Sequence, residues 1–283
     1  MPEIEPAALH RGLSEYFAGH QYDGLFIASL DHSPTEQLIG EKWHTSALIL
    51  SAAVEHSALA RELGQIANPL TCKLTKWTRA NSHYKRRFCA SLMSSLDRHR
   101  VMVFAISATE PSIAASEEHF IKELGGSQCY RRHLLDDRTR VSIGPLVNAR
   151  TGEKHTVELS GNQAPMVLFI AHFLRRMHQE VQVALSAAAP MCVTWNFFAD
   201  KPPNGAGGAF DRALAMLLGL SNPRGALRWG YFLEGDEIET DLLADNVAGL
   251  LNEIMRVPQR YTEEFSESAQ LTSGLFYWER WET

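Results

Sequence analysis

The sequence predicts an α/β fold in which helices flank a mixed central sheet, and three observations lead to this fold class. Short apolar runs recur along the chain, each bounded by polar or turn-forming residues, as in buried strands. Segments with apolar residues at helical spacing lie between most of these runs. Two strands come in succession near the start, and alternation of strands with helices follows. That order is typical of a mixed sheet covered by helices.

The individual elements follow from these patterns in chain order. Residues 8–18 are a short lead-in helix, and the apolar run at 25–30 is a buried strand that ends at Asp31, with Pro34 as a stop. Further strands are predicted at residues 46–54, 101–108, 191–200 and 225–235, a strand pair at 139–161, and helices at 56–68, 80–100, 117–126, 162–185, 210–220 and 236–256.

The chain shows no interdomain linker, and its 283 residues are enough for one large core or for a core with an insertion. We therefore expect a single domain over residues 1–283, with a β-hairpin insertion near 139–160 that turns at about 150–152. Residues 201–208, KPPNGAGG, predict a loop beside a site. The aromatic tail at 257–283 either docks a partner or folds back onto its own core.

Composition excludes several classes of protein. An apolar fraction of 45% and a charged fraction of 21% are those of an ordinary globular protein, so extensive disorder is excluded. The formal charge of -6 argues against a long track for bare nucleic acid, which takes a strong positive excess. Contact with nucleic acid then requires a local basic patch, a partner subunit or bound metal ions.

The expected location follows from the cysteines and from the apolar runs. The four cysteines form no C-x-x-C pair and no zinc motif, which favours free thiols in a reducing compartment. The acidic N-terminus has no apolar signal segment, and no apolar run approaches the roughly 18 residues that span a bilayer. We expect a soluble, cytoplasmic protein without a membrane partner.

Three aspartates are the candidate catalytic residues. Asp31 and Asp200 end predicted strands, and Asp245 lies in the last predicted helix. Ligands in open α/β sheets sit beyond the carboxyl ends of strands, so the first two carboxylates share a crevice if their strands are neighbours. A third carboxylate would complete a set of hard oxygen ligands suited to Mg²⁺ or Mn²⁺. The alternative is that these residues only cap helices or form turns.

The position of Asp245 on its helix leaves two interpretations open. It lies opposite the main apolar stripe, which predicts a solvated face. Its neighbours are small, and a glycine within a helix costs about 1 kcal/mol relative to alanine, so this face is also suited to close approach by another backbone. The stripe consists of Leu243, Val247, Leu250 and Ile254, and the small residues are Ala244, Ala248 and Gly249.

One region is dense in basic residues and also contains two aromatic residues, Trp77 and Tyr84. Such a combination binds phosphates and stacks bases, although a solvated helix face has the same pattern. Shorter basic pairs at 131–132 and 175–176 share this ambiguity. The basic residues of the main region are Lys73, Lys76, Arg79, Lys85, Arg86 and Arg87.

Four motifs in this order resemble the DUF3800 family of RNase H-like proteins. Asp31-His32-Ser33 matches an opening strand that ends in Asp-x-Ser, although an acidic residue is common where His32 stands. Lys76-Trp77 matches a short segment after the first helix, and Asp200 matches a later strand that ends in Asp. Leu243 to Gly249 fits every fixed position of a closing helix of the form Leu-Ala-Asp-x-x-Ala-Gly. The resemblance spans roughly residues 23–256.

The resemblance implies an RNase H-like fold and a metal-dependent nuclease that cleaves DNA or RNA, possible settings being a mobile-element or phage-defence system. Asp31, Asp200 and Asp245 would hold Mg²⁺ or Mn²⁺, with Asp241 or Glu55 as supplementary ligands, and the basic region would steer the phosphate backbone. The alternative is a catalytically weak or inactive RNase H-like subunit that binds protein or nucleic acid within a larger complex. A small-molecule hydrolase that uses the same carboxylates is a third possibility.

Overall fold

The computed structural model describes residues 13–16, 25–34, 42–124, 129–135, 138–147, 152–161, 163–188, 193–200, 212–214, 227–234, 239–257 and 275–282. The strands are β1 (Leu25–Pro34), β2 (Trp43–Ala52), β3 (Met102–Thr109), β4 (Tyr130–Leu135), β5 (Arg138–Val147), β6 (Lys154–Ser160), β7 (Val193–Asp200), β8 (Leu227–Glu234) and β9 (Phe276–Trp281). The helices are α1 (Ala53–Ala67), α2 (Ser82–His99), α3 (Glu110–Ala115), α4 (Glu117–Glu123), α5 (Ala164–Ala188) and α6 (Glu239–Arg256), with a 3-10 turn at Trp77–Arg79.

The chain divides into two compact units, whereas the sequence predicts one domain with a hairpin insertion. The first unit comprises Met1–Glu110, Glu180–Asp200 and Ala226–Glu282, and the second comprises Pro111–Gln179 and Lys201–Gly225. The predicted hairpin is present as β5 and β6, but β4 extends it to a three-stranded sheet in the second unit. The predicted loop at 201–208 lies outside the described residues.

The first unit contains the mixed central sheet that the sequence predicts. Its six strands lie in the order β8-β7-β1-β2-β3-β9. Strand β2 is antiparallel to β1 and β3, whereas β7 is parallel to β1 and β8, and β9 is parallel to β3. Among these strands β2 alone runs against the others. Its residues are buried from Trp43 to Ser51, as expected for a central strand covered on both faces.

Helices α1, α2 and α6 cover one face of this sheet with a shared apolar core. Ala47 and Ile49 of β2 pack in a cluster with Leu63 of α1, Phe88 of α2 and Val247 of α6. Helix α6 packs directly against β1 and β2. Of the helices that the structure describes, none combines the length and apolar character needed to cross a bilayer.

Strand β1 is longer than its apolar run predicts, because β2 also begins earlier than expected. The antiparallel ladder continues through Asp31↔Ala47 and Ser33↔Thr45 to Pro34↔His44. Asp31 therefore lies inside β1 and does not end it. A polar stretch remains in the strand here because its backbone groups are paired with those of β2.

The aromatic tail forms an edge strand of the same sheet, so in its described part the fold-back alternative is confirmed. Strand β9 pairs with β3, and the Trp278 indole N–H donates to the Ser107 hydroxyl at 2.9 Å. Tyr277 stacks on Phe104 with 5.6 Å between ring centroids. Both tail aromatics are buried. Residues 258–274 of the tail lie outside the described residues.

Candidate carboxylate site and the helix α6 seam

The predicted aspartates on two strands occupy neighbouring positions in the sheet. Strands β1 and β7 pair in parallel through Leu30↔Ala199, and the next residue of each strand is Asp31 and Asp200, respectively. Paired parallel strands lie about 4.8 Å apart. The expectation that these strands are neighbours is therefore met at the level of the backbone. The Asp200 side chain lies outside the described part of the chain.

A third acidic position, Glu234, extends the same row and was missed from the sequence. The β7–β8 ladder pairs Asp200 with Glu234. Glu234 ends its strand just as Asp200 ends β7, so the available signal was an acidic residue at the end of an apolar run. The row of acidic positions on β1, β7 and β8 is called the acidic row below.

Asp31 belongs to the face of the sheet that helix α6 covers. It pairs directly with Ala47, and residues directly opposed in an antiparallel ladder place their side chains on the same face. Ala47 packs in the apolar cluster that contains Val247 and Leu251 of α6. Asp31 itself is half-buried. The acidic row therefore begins on the side of the sheet where α6 lies.

Asp245 lies at a contact between helix α6 and the 3-10 turn. Its Oδ2 accepts the backbone N–H of Trp77 at 2.6 Å. It precedes Asn252 by seven residues, close to two helical turns, so the two share a face of α6. The Asn252 amide donates to the Trp43 carbonyl oxygen of β2 at 3.0 Å. The interpretation of this face as solvated is wrong, and the interpretation as a covered contact is confirmed.

Gly249 allows the close approach on which this contact depends. A Cβ added at Gly249 would lie 2.3 Å from Cγ and 2.4 Å from Cδ1 of Trp77. No side chain fits at such distances, so glycine is required where the indole crosses the helix. The small residues noted in the sequence therefore have a packing role.

Two further polar residues of α6 complete the contact. The Asn246 amide donates to the Thr75 carbonyl oxygen at 2.9 Å and accepts from the Tyr84 hydroxyl at 3.0 Å. Burial raises the pKa of Tyr84 to about 12, so its hydroxyl stays protonated and able to donate. We call this contact the α6 seam; it joins Asp245, Asn246, Gly249 and Glu253 to Thr75, Trp77, Tyr84 and Lys85.

Glu253 holds the C-terminal half of the α6 seam through a buried ion pair. Its Oε2 lies 2.9 Å from Lys85 Nζ and accepts the Trp77 indole N–H at 2.9 Å. The Lys85 ammonium also lies 4.7 Å from the centroid of the Trp77 ring, within range of a cation–π interaction. Their side chains are only 16% and 5% exposed, respectively.

These contacts correct part of the predicted nucleic-acid surface. Trp77 and Tyr84 are 5% and 4% exposed, so neither ring presents a face on which a base can stack. Lys85 is paired with Glu253 within the core. Lys76 is half-buried beside the turn. Exposed residues of the predicted surface are Lys73, Arg79, Arg86 and Arg87, and these stay a predicted phosphate-binding surface.

The supplementary metal ligands and the full ligand set stay predictions. The Asp241 side chain lies outside the described residues, and Glu55 accepts the Tyr16 hydroxyl at 3.4 Å. Among the residues that the structure describes, no three His, Cys, Asp or Glu side chains are arranged to hold a metal ion. Asp200 and Asp241 are not part of that set, so the acidic row is defined by strand register.

His32, which follows Asp31, belongs to the opposite face of the sheet. Its Nδ1 lies 3.0 Å from the Ser46 hydroxyl, and its Nε2 lies 3.2 Å from Nδ1 of His44. Burial, with a smaller effect of His44, lowers the pKa of His32 to about 3. The imidazole is therefore neutral near pH 7 and adds no positive charge beside the carboxylate of Asp31.

Two substitutions of Asp245 separate its charge from its hydrogen bond. Asp245→Ala leaves the Trp77 amide without its acceptor and is expected to lower the free energy of unfolding by about 1–3 kcal/mol. Asp245→Asn retains an oxygen acceptor and is expected to lose less than half as much. Urea denaturation followed by tryptophan fluorescence measures both values. Equal losses for the two variants would show that the negative charge, and not the acceptor, stabilises the seam.

No protein-family model, curated protein or solved structure matches this chain. Geometry and the motif resemblance are therefore the two sources for its function.

Proposed function

We propose that the chain is a metal-dependent nuclease with an RNase H-like core in the manner of the DUF3800 family. Each element that the resemblance requires is present in the required order. Support comes from the position of the family motifs on these elements: Asp31 on β1, Trp77 in the turn, Asp200 at the end of β7, and Asp245 on α6. The mixed sheet flanked by helices also agrees with this proposal.

The acidic row is the observation that carries the proposal. Asp31 and Asp200 follow directly on the last paired residues of β1 and β7, and Glu234 continues the row on β8. Hard oxygen donors of this kind fit Mg²⁺ or Mn²⁺. Bound metal ions would supply a Lewis acid for water and for the phosphoryl oxygen of a phosphodiester. Asp31, on the face covered by α6, and Asp200 would hold them.

Substrate binding would fall to the exposed basic residues of the first unit. Arg86 and Arg87 lie exposed on α2, and Arg79 lies exposed in the turn that leads to it. Their charge attracts a phosphate backbone despite the formal charge of -6 for the whole chain. The core position of Trp77 and Tyr84 makes this contact electrostatic, without base stacking.

Conversion of the paired aspartates to asparagines tests the nuclease proposal. Asp31→Asn and Asp200→Asn are each expected to reduce Mn²⁺-dependent cleavage of DNA and RNA at least about 100-fold, because an amide is a poor ligand for a hard cation. The matched control is Asp97→Asn at an exposed position of α2, which should keep full activity. Circular dichroism verifies folding. Full cleavage by Asp31→Asn would exclude the proposal.

The rival function is a non-catalytic RNase H-like subunit, and one observation favours it. Asp245 Oδ2 is engaged by the Trp77 amide at 2.6 Å, so this carboxylate has a structural partner. Under this alternative, the wild-type chain binds nucleic acid or a protein partner but does not cleave with any divalent metal. Asp31→Asn would then leave nucleic-acid binding unchanged in a filter-binding assay, whereas charge removal at Arg86 and Arg87 would weaken it.

A further inference from the structure

Arg175 of helix α5 carries a buried charge that the described residues do not neutralise. Its side chain is half-buried, and its Nη1 is fully buried with no hydrogen-bond partner among them. A guanidinium stays protonated at all ordinary pH values. An unpaired donor of this kind is costly in the interior, because both its hydration and its hydrogen bond are lost. Such a residue is well suited to bind an anion.

The groups around Arg175 increase the positive potential at this point. His172 lies one turn earlier on α5, and Arg176 follows Arg175 directly, so the side chains lie close to one another. His119 of α4 contacts His172 edge-to-face, with 5.6 Å between ring centroids. Burial is the main cause that lowers the pKa of His172 to about 4, and the charges of His119, Arg176 and Arg175 act in the same direction.

The cluster is also rigidly placed. The His172 ring packs against Phe120 with 5.0 Å between centroids, and Phe120 packs against Phe169 of the same helix α5 with 5.9 Å between centroids. Phe120 and Phe169 are fully buried. A guanidinium anchored beside a packed aromatic core is held in place before a ligand arrives, which reduces the entropy lost on binding.

We propose that Arg175 is the anchor of an oxyanion-binding site in the second unit, and that the site takes a phosphate group. The planar fork of a guanidinium matches two oxygens of a phosphate, and a charged hydrogen bond of this type is stronger in a buried site. The His172 imidazole, neutral near pH 7, supplies a further polar group on the same helix face. This site is independent of the acidic row and of the nuclease proposal.

Calorimetric titration of the full chain with inorganic phosphate tests the site. Saturable binding is expected for the wild type, and Arg175→Met is expected to weaken it about tenfold or more, the loss of one charge-assisted hydrogen bond. Arg175→Lys keeps the charge without the fork and should weaken binding less. Arg131→Met, at an exposed arginine of the same unit, is the matched control and should bind as the wild type.

Thermal unfolding and a second ligand complete the test. Without phosphate, Arg175→Met should unfold at or above the melting temperature of the wild type, because it removes an unpaired buried charge. Only the wild type and Arg131→Met should be stabilised by added phosphate. Competition by a short oligonucleotide would assign the site to backbone phosphates, and its absence would assign it to free phosphate. Equal phosphate binding by all variants, or a lower melting temperature of Arg175→Met without phosphate, would overturn the proposal.

Discussion

Trp278→Ala is expected to lower the free energy of unfolding by about 3–5 kcal/mol, the loss typical of a buried tryptophan. Trp278 is 6% exposed, and its ring packs in the core cluster shared with α1, α2 and α6. Its indole N–H donates to the Ser107 hydroxyl, which itself lies 2.8 Å from the Thr45 hydroxyl. The substitution thus leaves a large cavity at the point where β9 pairs with β3.

Two control variants separate ring volume from hydrogen bonding at this position. Trp278→Phe keeps most of the ring and is expected to cost about half as much, since Ser107 retains Thr45 as a partner. Trp281→Ala, at a half-exposed position at the end of β9, is expected to cost about 1 kcal/mol or less. Urea denaturation yields all three values. A Trp278→Ala protein as stable as Trp281→Ala would show that β9 does not contribute to the core.

Lys85→Met is expected to lower the free energy of unfolding by about 3 kcal/mol, because it leaves the buried Glu253 carboxylate without its closest cation. The Trp77 indole N–H at 2.9 Å and the Arg256 guanidinium at 3.9 Å would compensate only in part. The cation–π contact of Lys85 with the Trp77 ring is lost as well.

A double-mutant cycle shows whether this cost arises from the unpaired charge. Lys85→Met with Glu253→Gln removes both charges and keeps an oxygen acceptor for the Trp77 indole. The double variant is therefore expected to recover more than half of the stability that Lys85→Met loses. Arg86→Met, at the adjacent exposed position, is the matched control and should change stability by less than about 0.5 kcal/mol. Additive losses in the cycle would mean that the two residues act independently.

Local patterns in the sequence were sufficient for most elements of the fold. The long amphipathic segment that begins before Pro165 became α5, and the apolar runs became β2, β3 and β7. Strand β4 was missed because Tyr130–Leu135 is mostly charged and polar, and its polar side chains are satisfied in the second unit. Arg132 pairs with Glu117, and the Tyr130 hydroxyl bonds to the same carboxylate.

The surroundings of the candidate residues were harder to predict, because they depend on residues far away in the chain. Trp77 lies in a short basic segment that looks exposed, and its partner Asp245 is 168 positions away. No local pattern shows that Gly249 receives this ring. The acidic row was predicted in part, since Asp31 and Asp200 both follow apolar runs. Glu234 was missed because its strand carries no pairing signal of its own.

The α6 seam also fixes when this protein can complete its core during synthesis. Residues 25–109 supply β1, β2, β3, α1 and α2, but Trp77 and Tyr84 have no partner until α6 at 239–256 has been made. At translation rates of roughly 5–20 residues per second, the nascent chain presents this apolar surface for about ten to thirty seconds. The first unit is thus dependent on its last helix, and a ribosome-bound chain that stops before residue 239 retains an open hydrophobic face for chaperones to bind.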